Sequence, residues 1–276
     1  MNHSKIGIAI SYIALITLVI LALYPLYWMF LTSFKTEGEF FVNRFGLPSN
    51  FILDNYIQAW GRGDFTLFFR NSIFVSLMSL AMMIGFSAMS AFALTRYDFK
   101  SSKKVLFYFI IGQMLTAQVL LIGVYLVVLF LNIHDTLPGL SLVYVASGIP
   151  FTIFFLTGFF RTIPRELYEA AEIDGYNDFR IFTAVAIPLA VPGLATAFII
   201  QFLFVWNEFP LALIIVSTRT LTTLPVGIFR VVNDMYFASN TLATAGLSIA
   251  VIPIILFYAV FQRQVRAGLT AGALKG

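Results

Sequence analysis

The chain has 276 residues, 60% hydrophobic, 17% aromatic and 11% charged, with a mean hydropathy of +0.91; a soluble domain is about a quarter charged, so a water-soluble fold is excluded. It has no Cys and only two His, His3 and His134, which removes disulfide frameworks, thiolate nucleophiles, Cys-based zinc or iron–sulfur sites and haem attachment. The net charge of +4 is a small basic excess that, in so apolar a chain, reflects membrane topology rather than nucleic acid.

A helix crossing about 30 Å of hydrocarbon needs about 20 apolar residues. Six stretches qualify, at approximately residues 7–32, 71–95, 105–131, 138–160, 189–215 and 240–262. They predict an all-α, polytopic membrane protein with six transmembrane helices in one domain, residues 1–276. The first stretch is too long for a signal-peptide core and has no small-residue cleavage pattern behind it, so it counts as a span. Residues 35–70, the longest connection, can hold short interfacial helices but no catalytic module. In the second span Gly85, Ser87, Ala88, Ser90, Ala91 and Ala93 form a small-residue stripe, and Thr244, Ala245, Gly246, Ser248 and Ala250 repeat it in the sixth; both read as helix-packing faces. Pro25, Pro150, Pro192, Pro210 and Pro253 read as kinks rather than boundaries.

An even number of spans puts both termini on one side. The segments on that side hold eleven Lys and Arg residues and the opposite ones six. Positive charge is retained in the cytoplasm, so both termini are expected there.

The cytoplasmic connection at residues 161–188 is the most informative stretch, because residues 161–180 carry five of the 13 acidic residues. Pro164 suits a helix start, residues 166–173 are good helix formers, and Gly175 can take the positive φ that ends a helix. Asn177 or Asp178 can then cap a second helix running toward Pro188 and the fifth span. Ala170 and Ala171 beside Gly175 leave backbone nearly bare for a docking protein surface, with Glu169 and Asp174 to meet a basic partner. The alternative is a helix pair lying on lipid headgroups, which clustered acids fit poorly against anionic lipid.

Further on, Trp206, Asn207 and Glu208 lie about 20 residues beyond Pro188, hence about 30 Å along a helix. An indole beside an amide and a carboxylate is a candidate sugar contact in a solute path, and equally a helix-end anchor at the interface. Gln113, Gln118 and Gln201 read as path residues or as interhelical hydrogen bonds. His134, next to Asp135, reads as solvated, with no nucleophile or second base nearby for a catalytic dyad.

Glu169-Ala170-Ala171, then Gly175, Val185 and Ile187-Pro188 at fixed spacing resemble the EAA motif of binding-protein-dependent ABC importer permeases, with conservative departures at Val185 and Ile187. Asp174 and Phe182 resemble the carbohydrate-uptake branch. The likeness extends to Asn55-Tyr56, Asn71-Ser72, Trp206-Asn207-Glu208, Leu224-Pro225-Val226-Gly227 and the ending from Gly268 to Gly276, which is similar to the tail of maltose-system-G-like permeases. The resemblance implies a type I ABC importer permease fold in the prokaryotic cytoplasmic (inner) membrane. It implies that Glu169, Ala170, Ala171, Asp174 and Gly175, with Pro188, form the coupling element seated on a separate ATPase. It also implies a second homologous permease, two ATPase subunits, an extracytoplasmic solute-binding protein and a sugar-like solute. The chain would then be no enzyme and hold no cofactor; ATP and Mg would be used by the ATPase partners. Independently, no Gly-x-x-x-x-Gly-Lys-Ser/Thr phosphate loop occurs in the sequence. A membrane-embedded enzyme or an ion-coupled secondary transporter would need intramembrane ionisable groups, and the six spans offer only Glu208, at an edge.

The charge asymmetry yields a direct test in this Cys-free chain. Ser102→Cys, Tyr176→Cys and Ala273→Cys, made singly, are expected to resist membrane-impermeant thiol reagents in intact cells and to label after lysis.

Overall fold

The computed structural model describes residues 5–97, 100–114, 117–236 and 239–273. In chain order they form α1 (Lys5–Ser33), α2 (Glu37–Val42), α3 (Asp54–Arg62), α4 (Phe65–Arg96), α5 (Ser102–Met114), α6 (Ala117–Phe130), α7 (Leu137–Phe160), α8 (Arg165–Ile173) and α9 (Asp178–Ile181). A π turn (Phe182–Ala186) leads into α10 (Ile187–Asn207), followed by α11 (Pro210–Ile215), a 3-10 turn (Arg219–Leu221), α12 (Leu224–Tyr236) and α13 (Asn240–Ala273). Among the described residues, five helical segments are long and apolar enough to cross a membrane, or six if α5 and α6, inclined by 106°, make one broken span.

Two expectations change. The third span, expected at 105–131, is divided between α5 and α6. The fifth, expected at 189–215, is helical from Asp178 and ends at Asn207. Pro210 is a boundary there, not a kink. It has no N–H to give the carbonyl four residues earlier; Glu208 is extended (φ −66°, ψ 128°), Phe209 also leaves the helical region (φ −121°, ψ −52°), and a new helix starts at Pro210. Pro25, Pro150, Pro192 and Pro253 do lie inside helices.

The contacts gather the chain into two compact units, residues 1–66 with 227–255 and residues 67–226 with 256–276. In the first, the connection from α1 to α4, expected to hold short helices, holds α2 and α3, and side chains fasten it. Asn55 donates to the carbonyls of Ser33 and Lys35, both at 2.8 Å. The Ser33 and Tyr56 hydroxyls meet at 2.7 Å. Lys35, only 1% exposed, donates to the carbonyl of Asn43 at 2.6 Å, and the Trp28 indole donates to that of Arg44. Thr36 caps α2 by accepting from the Glu39 N–H. Glu37 reaches the first turn of α13. Its carboxylate accepts from the backbone N–H groups of Asn240 and Thr241, the Asn240 amide and the Ser239 and Thr241 hydroxyls.

In the second unit α7 is central, with α5, α6, α10 and α11 packed on it. One apolar cluster joins Met83, Leu140, Tyr144, Val205 and Leu211; another joins Ala88, Phe92, Phe160, Tyr168, Ala171, Phe182 and Ala186. Ser87, Ala88 and Ala91 of the small-residue stripe are buried. A Cβ on Gly148 would strike the Met83 thioether and, at 3.0 Å, the side-chain amide oxygen (Oε1) of Gln201, so glycine sets how closely α7 meets its neighbours. Gln201 donates to Thr152 at 2.9 Å and to the Gly148 carbonyl, the interhelical bond that one reading of it foresaw. Gln113 is exposed, and the side chain of Gln118 lies outside the described residues. Asn71 donates to the carbonyls of Thr220 and Thr222, and Ser72 accepts from the Leu224 N–H. Between α6 and α7, Asn132 and Asp135 take positive φ. The Asp135 carboxylate accepts from the N–H groups of Ser217 and Thr218 and the Thr218 hydroxyl. The Thr218 hydroxyl above all, then its N–H, hold it below the ordinary carboxylate range, outweighing burial. His134 is half-buried, edge-on to Tyr125.

Glu37 supplies a pH test. Burial alone would raise its carboxyl, but the bonds from Ser239, Asn240 and Thr241 outweigh it and bring it from 4.5 to about 2. With the folded value lowered, its contribution is complete above pH 4.5 and is lost as the pH falls through about 2. Glu37→Ala is expected to lower stability in detergent at pH 7 by about 1–2 kcal/mol, as for loss of a helix cap. The gap between variant and parent in a thermal melt should narrow steadily below pH 4.5.

Candidate functional site

Two regions in the second unit carry the residues singled out in the sequence. The first is the helix–corner–helix at residues 165–188. Pro164 stands at the cap position of α8, one residue before its first turn. The helix ends as a glycine-terminated helix should: Gly175 has φ +81°, its N–H bonds to the Glu172 carbonyl at 2.9 Å, and the Tyr176 N–H bonds to the Ala171 carbonyl at 3.0 Å. This paired pattern with a left-handed residue is the Schellman closure. Nothing lies within 4 Å of the place a Gly175 Cβ would take, so glycine serves the backbone angle and not a lack of room. Asn177, rather than Asp178, caps α9 through the Arg180 N–H.

Beyond α9 the chain runs into α10 through the π turn. Pro188 has no N–H to give the carbonyl four residues earlier and its ring crowds that carbonyl, so the preceding turn widens and the Ile187 N–H reaches back five residues to Phe182. Pro188 therefore acts at a distance from the corner, by shaping its junction with the fifth span.

Glu169, Ala170, Asp174 and Gly175 are exposed together on α8 and its corner. Ala171, expected beside them on a docking face, is turned inward. It is buried with Phe92, Phe160 and Phe182, because the inner stripe of a nine-residue amphipathic helix takes positions 168 and 171, one turn apart. Sequence reasoning overlooked the groups that hold α8 in place. Arg96 of α4 pairs with Glu172 and lies over the Tyr168 ring, which Phe92 meets edge-on. A tyrosine in the apolar stripe was the available signal.

The second region is the end of α10. A cavity of about 1070 Å³ opens there, walled by apolar residues of α6 and α7, with Gln113, Ser147, Asn207 and Glu208 as polar points. Asn207 is exposed and donates to the Leu203 carbonyl. Trp206 does not line the cavity; it is buried, stacked on Phe202 at 5.3 Å and near Phe69. Glu208 is already occupied. Its carboxylate accepts from the Tyr144 hydroxyl at 2.6 Å and from the N–H groups of Leu211 and Ala212 at 2.8 and 3.0 Å, closing the break between α10 and α11. Tyr144, 1% exposed, escaped the sequence reading, although a buried phenol needs a partner.

Residues 82–270 match the family described as binding-protein-dependent transport system inner membrane component. The chain is 32% identical over 268 residues to the diacetylchitobiose uptake system permease protein NgcG of Streptomyces coelicolor, covering 97% of this chain and 89% of that one. It is 35% identical to the trehalose transport system permease protein SugB of Mycobacterium tuberculosis, covering 92% and 93% of the two chains. A chain in the crystal structure of a bacterial ABC transporter involved in import of the acidic polysaccharide alginate shares the fold, with a TM-score of 0.86 at 24% identity over 95% of this chain and 99% of that one.

The bonds at Glu208 set an expected outcome. Glu208→Ala strands one hydroxyl and two N–H donors, and a buried donor left unmet costs about 1–3 kcal/mol. The variant should melt measurably lower in detergent, and Tyr144→Phe, which leaves both backbone bonds in place, should lose less.

Proposed function

This chain belongs to the family of binding-protein-dependent transport system inner membrane components, and from that premise we propose how it couples ATP hydrolysis to uptake. It is a transport subunit rather than an enzyme, multi-pass in the inner membrane. The solute proposed is a sugar or related polyol, delivered by an extracytoplasmic binding protein into a path made with a second, homologous permease. Support comes from relatives named for diacetylchitobiose and trehalose uptake and from Gln113, Ser147 and Asn207, amide and hydroxyl groups on an otherwise apolar wall, which suit sugar hydroxyls. Glu208 frames that wall while holding the helix break. Two separate ATPase subunits bind ATP and Mg, and this chain holds no cofactor.

The observation that carries the reading is the exposed face of Glu169, Ala170, Asp174 and Gly175 on a short helix that runs, through one corner and an unbroken helical rod, into a membrane span. Such a helix is stiff enough to pass a push along its length. We place the ATPase contact on this face, with both termini on the same side of the membrane. Ala171 supports the helix from behind.

Ala170→Arg puts bulk on the outer face without disturbing the core, so the permease should insert and fold but purify with little ATPase. Ala171→Arg should instead fail to fold. Gly175→Val, strained by about 1 kcal/mol or more at positive φ, should keep the permease inserted but lower solute moved per ATP in proteoliposomes. Parental attachment and parental solute per ATP in both Ala170→Arg and Gly175→Val would refute the docking assignment.

A further inference from the structure

The end of α4 is fastened to the docking element by three side chains. Arg96, in the last turn of α4, pairs with Glu172 of α8. Its guanidinium carbon is 5.6 Å from the centroid of the Tyr168 ring, and Phe92, one turn back, meets that ring at 5.8 Å. Burial first, then hydrogen bonding to and the charge of the Asp178 carboxylate in the first turn of α9, raise Tyr97 above its ordinary range.

The arrangement differs from a surface ion pair. The Arg96 side chain is 15% exposed and that of Glu172 49%, so removing the carboxylate would leave a largely buried charge uncompensated. The Arg96 Nε and the Tyr168 Oη are buried without a hydrogen-bond partner, which leaves the bond to Glu172 as the directional contact of the group. The apolar contacts of Phe92 and Ala88 hold α4 near α8 but have no direction and permit sliding.

Connectivity sharpens the point. The backbone joins α8 directly to α7 before it and to α10 after it, whereas Arg96 and Glu172 stand 76 residues apart. Motion of α8 reaches α4 only through side chains. We propose that Arg96 is a positioning residue for transport, whose bond to Glu172 carries displacement of α8 into α4, so that a docked ATPase moves α4 and α10 together. This rests on α8 being the docking element.

The test uses the assembled transporter in proteoliposomes with solute-loaded binding protein, reading retained ATPase subunits, ATP hydrolysis and uptake. In Arg96→Gln and in Glu172→Gln, solute per ATP should fall roughly fivefold or more, as for a coupling between two sites, with the ATPase still attached. The double variant should be no worse than either single, since both remove one contact, and Arg96→Lys should keep most of the parental value. Parental solute per ATP in both singles, or losses that multiply in the double, would overturn the relay. Ala170→Arg in parallel separates the two assignments. If it sheds the ATPase while the Arg96 and Glu172 singles couple normally, docking stands and the relay falls; if it keeps attachment and coupling, docking itself falls.

Discussion

A backbone N–H or C=O left unpaired in hydrocarbon costs several kcal/mol, so every place where a helix stops within or beside a bilayer must be closed by something else. In this chain side chains do it. Glu208 takes the two N–H groups that open α11, Asn71 takes the carbonyls of Thr220 and Thr222, and Ser72 takes the N–H of Leu224. Asn55 takes the carbonyls around Ser33, and Glu37 takes the first turn of α13. Two carboxylates and two amides are committed to these closures.

That allocation explains where function is left to reside. A carboxylate that accepts three hydrogen bonds has little capacity to spare, so the cavity at the end of α10 presents amides and a hydroxyl rather than a free carboxylate. Glu169 and Asp174, on α8 and its corner, are by contrast exposed. The same division separates Ala170 from Ala171. They are adjacent in sequence and alike in size, yet one belongs to the outer face and the other to the core.

Much of this was legible in the sequence because its signals are local. Apolar length indicated which stretches could span, Gly175 announced its own positive φ, and the cap of α9 was narrowed to Asn177 or Asp178. What stayed hidden was non-local. The pairing of Glu208 with Tyr144 joins residues 64 apart, and Arg96 with Glu172 spans 76; neither has a periodicity to betray it. Pro210 was misjudged for a different reason. Proline inside a span is tolerated when neighbours satisfy the freed carbonyls, as at Pro150 and Pro192, and whether it kinks or ends the helix depends on whether a side chain such as Glu208 is placed to close the gap. The inward turn of Ala171 follows from Tyr168, whose burial one turn earlier fixes which face of α8 looks in.

The closures also give the second unit its mechanical character. From Asp178 to Asn207 the chain is a continuous 30-residue helical rod, about 45 Å long, and it is tied at its far end, at Gln201 and through the adjoining α8. Arg96 holds the adjoining α8; Gln201 donates to Thr152 and Gly148 of α7; at the far end Glu208 accepts from Tyr144, again on α7. A rod so fastened cannot slide past α7 without breaking buried hydrogen bonds, so displacement at the corner must either tilt α7 and α10 as a pair or bend the rod. The one weak joint is the π turn before Pro188, where the regular bonding is interrupted. Bending there would let α8 swing while the pair beyond it stays rigid; with an ATPase docked on α8, as proposed, the junction at Phe182–Ala186 would set how much of a push reaches α10.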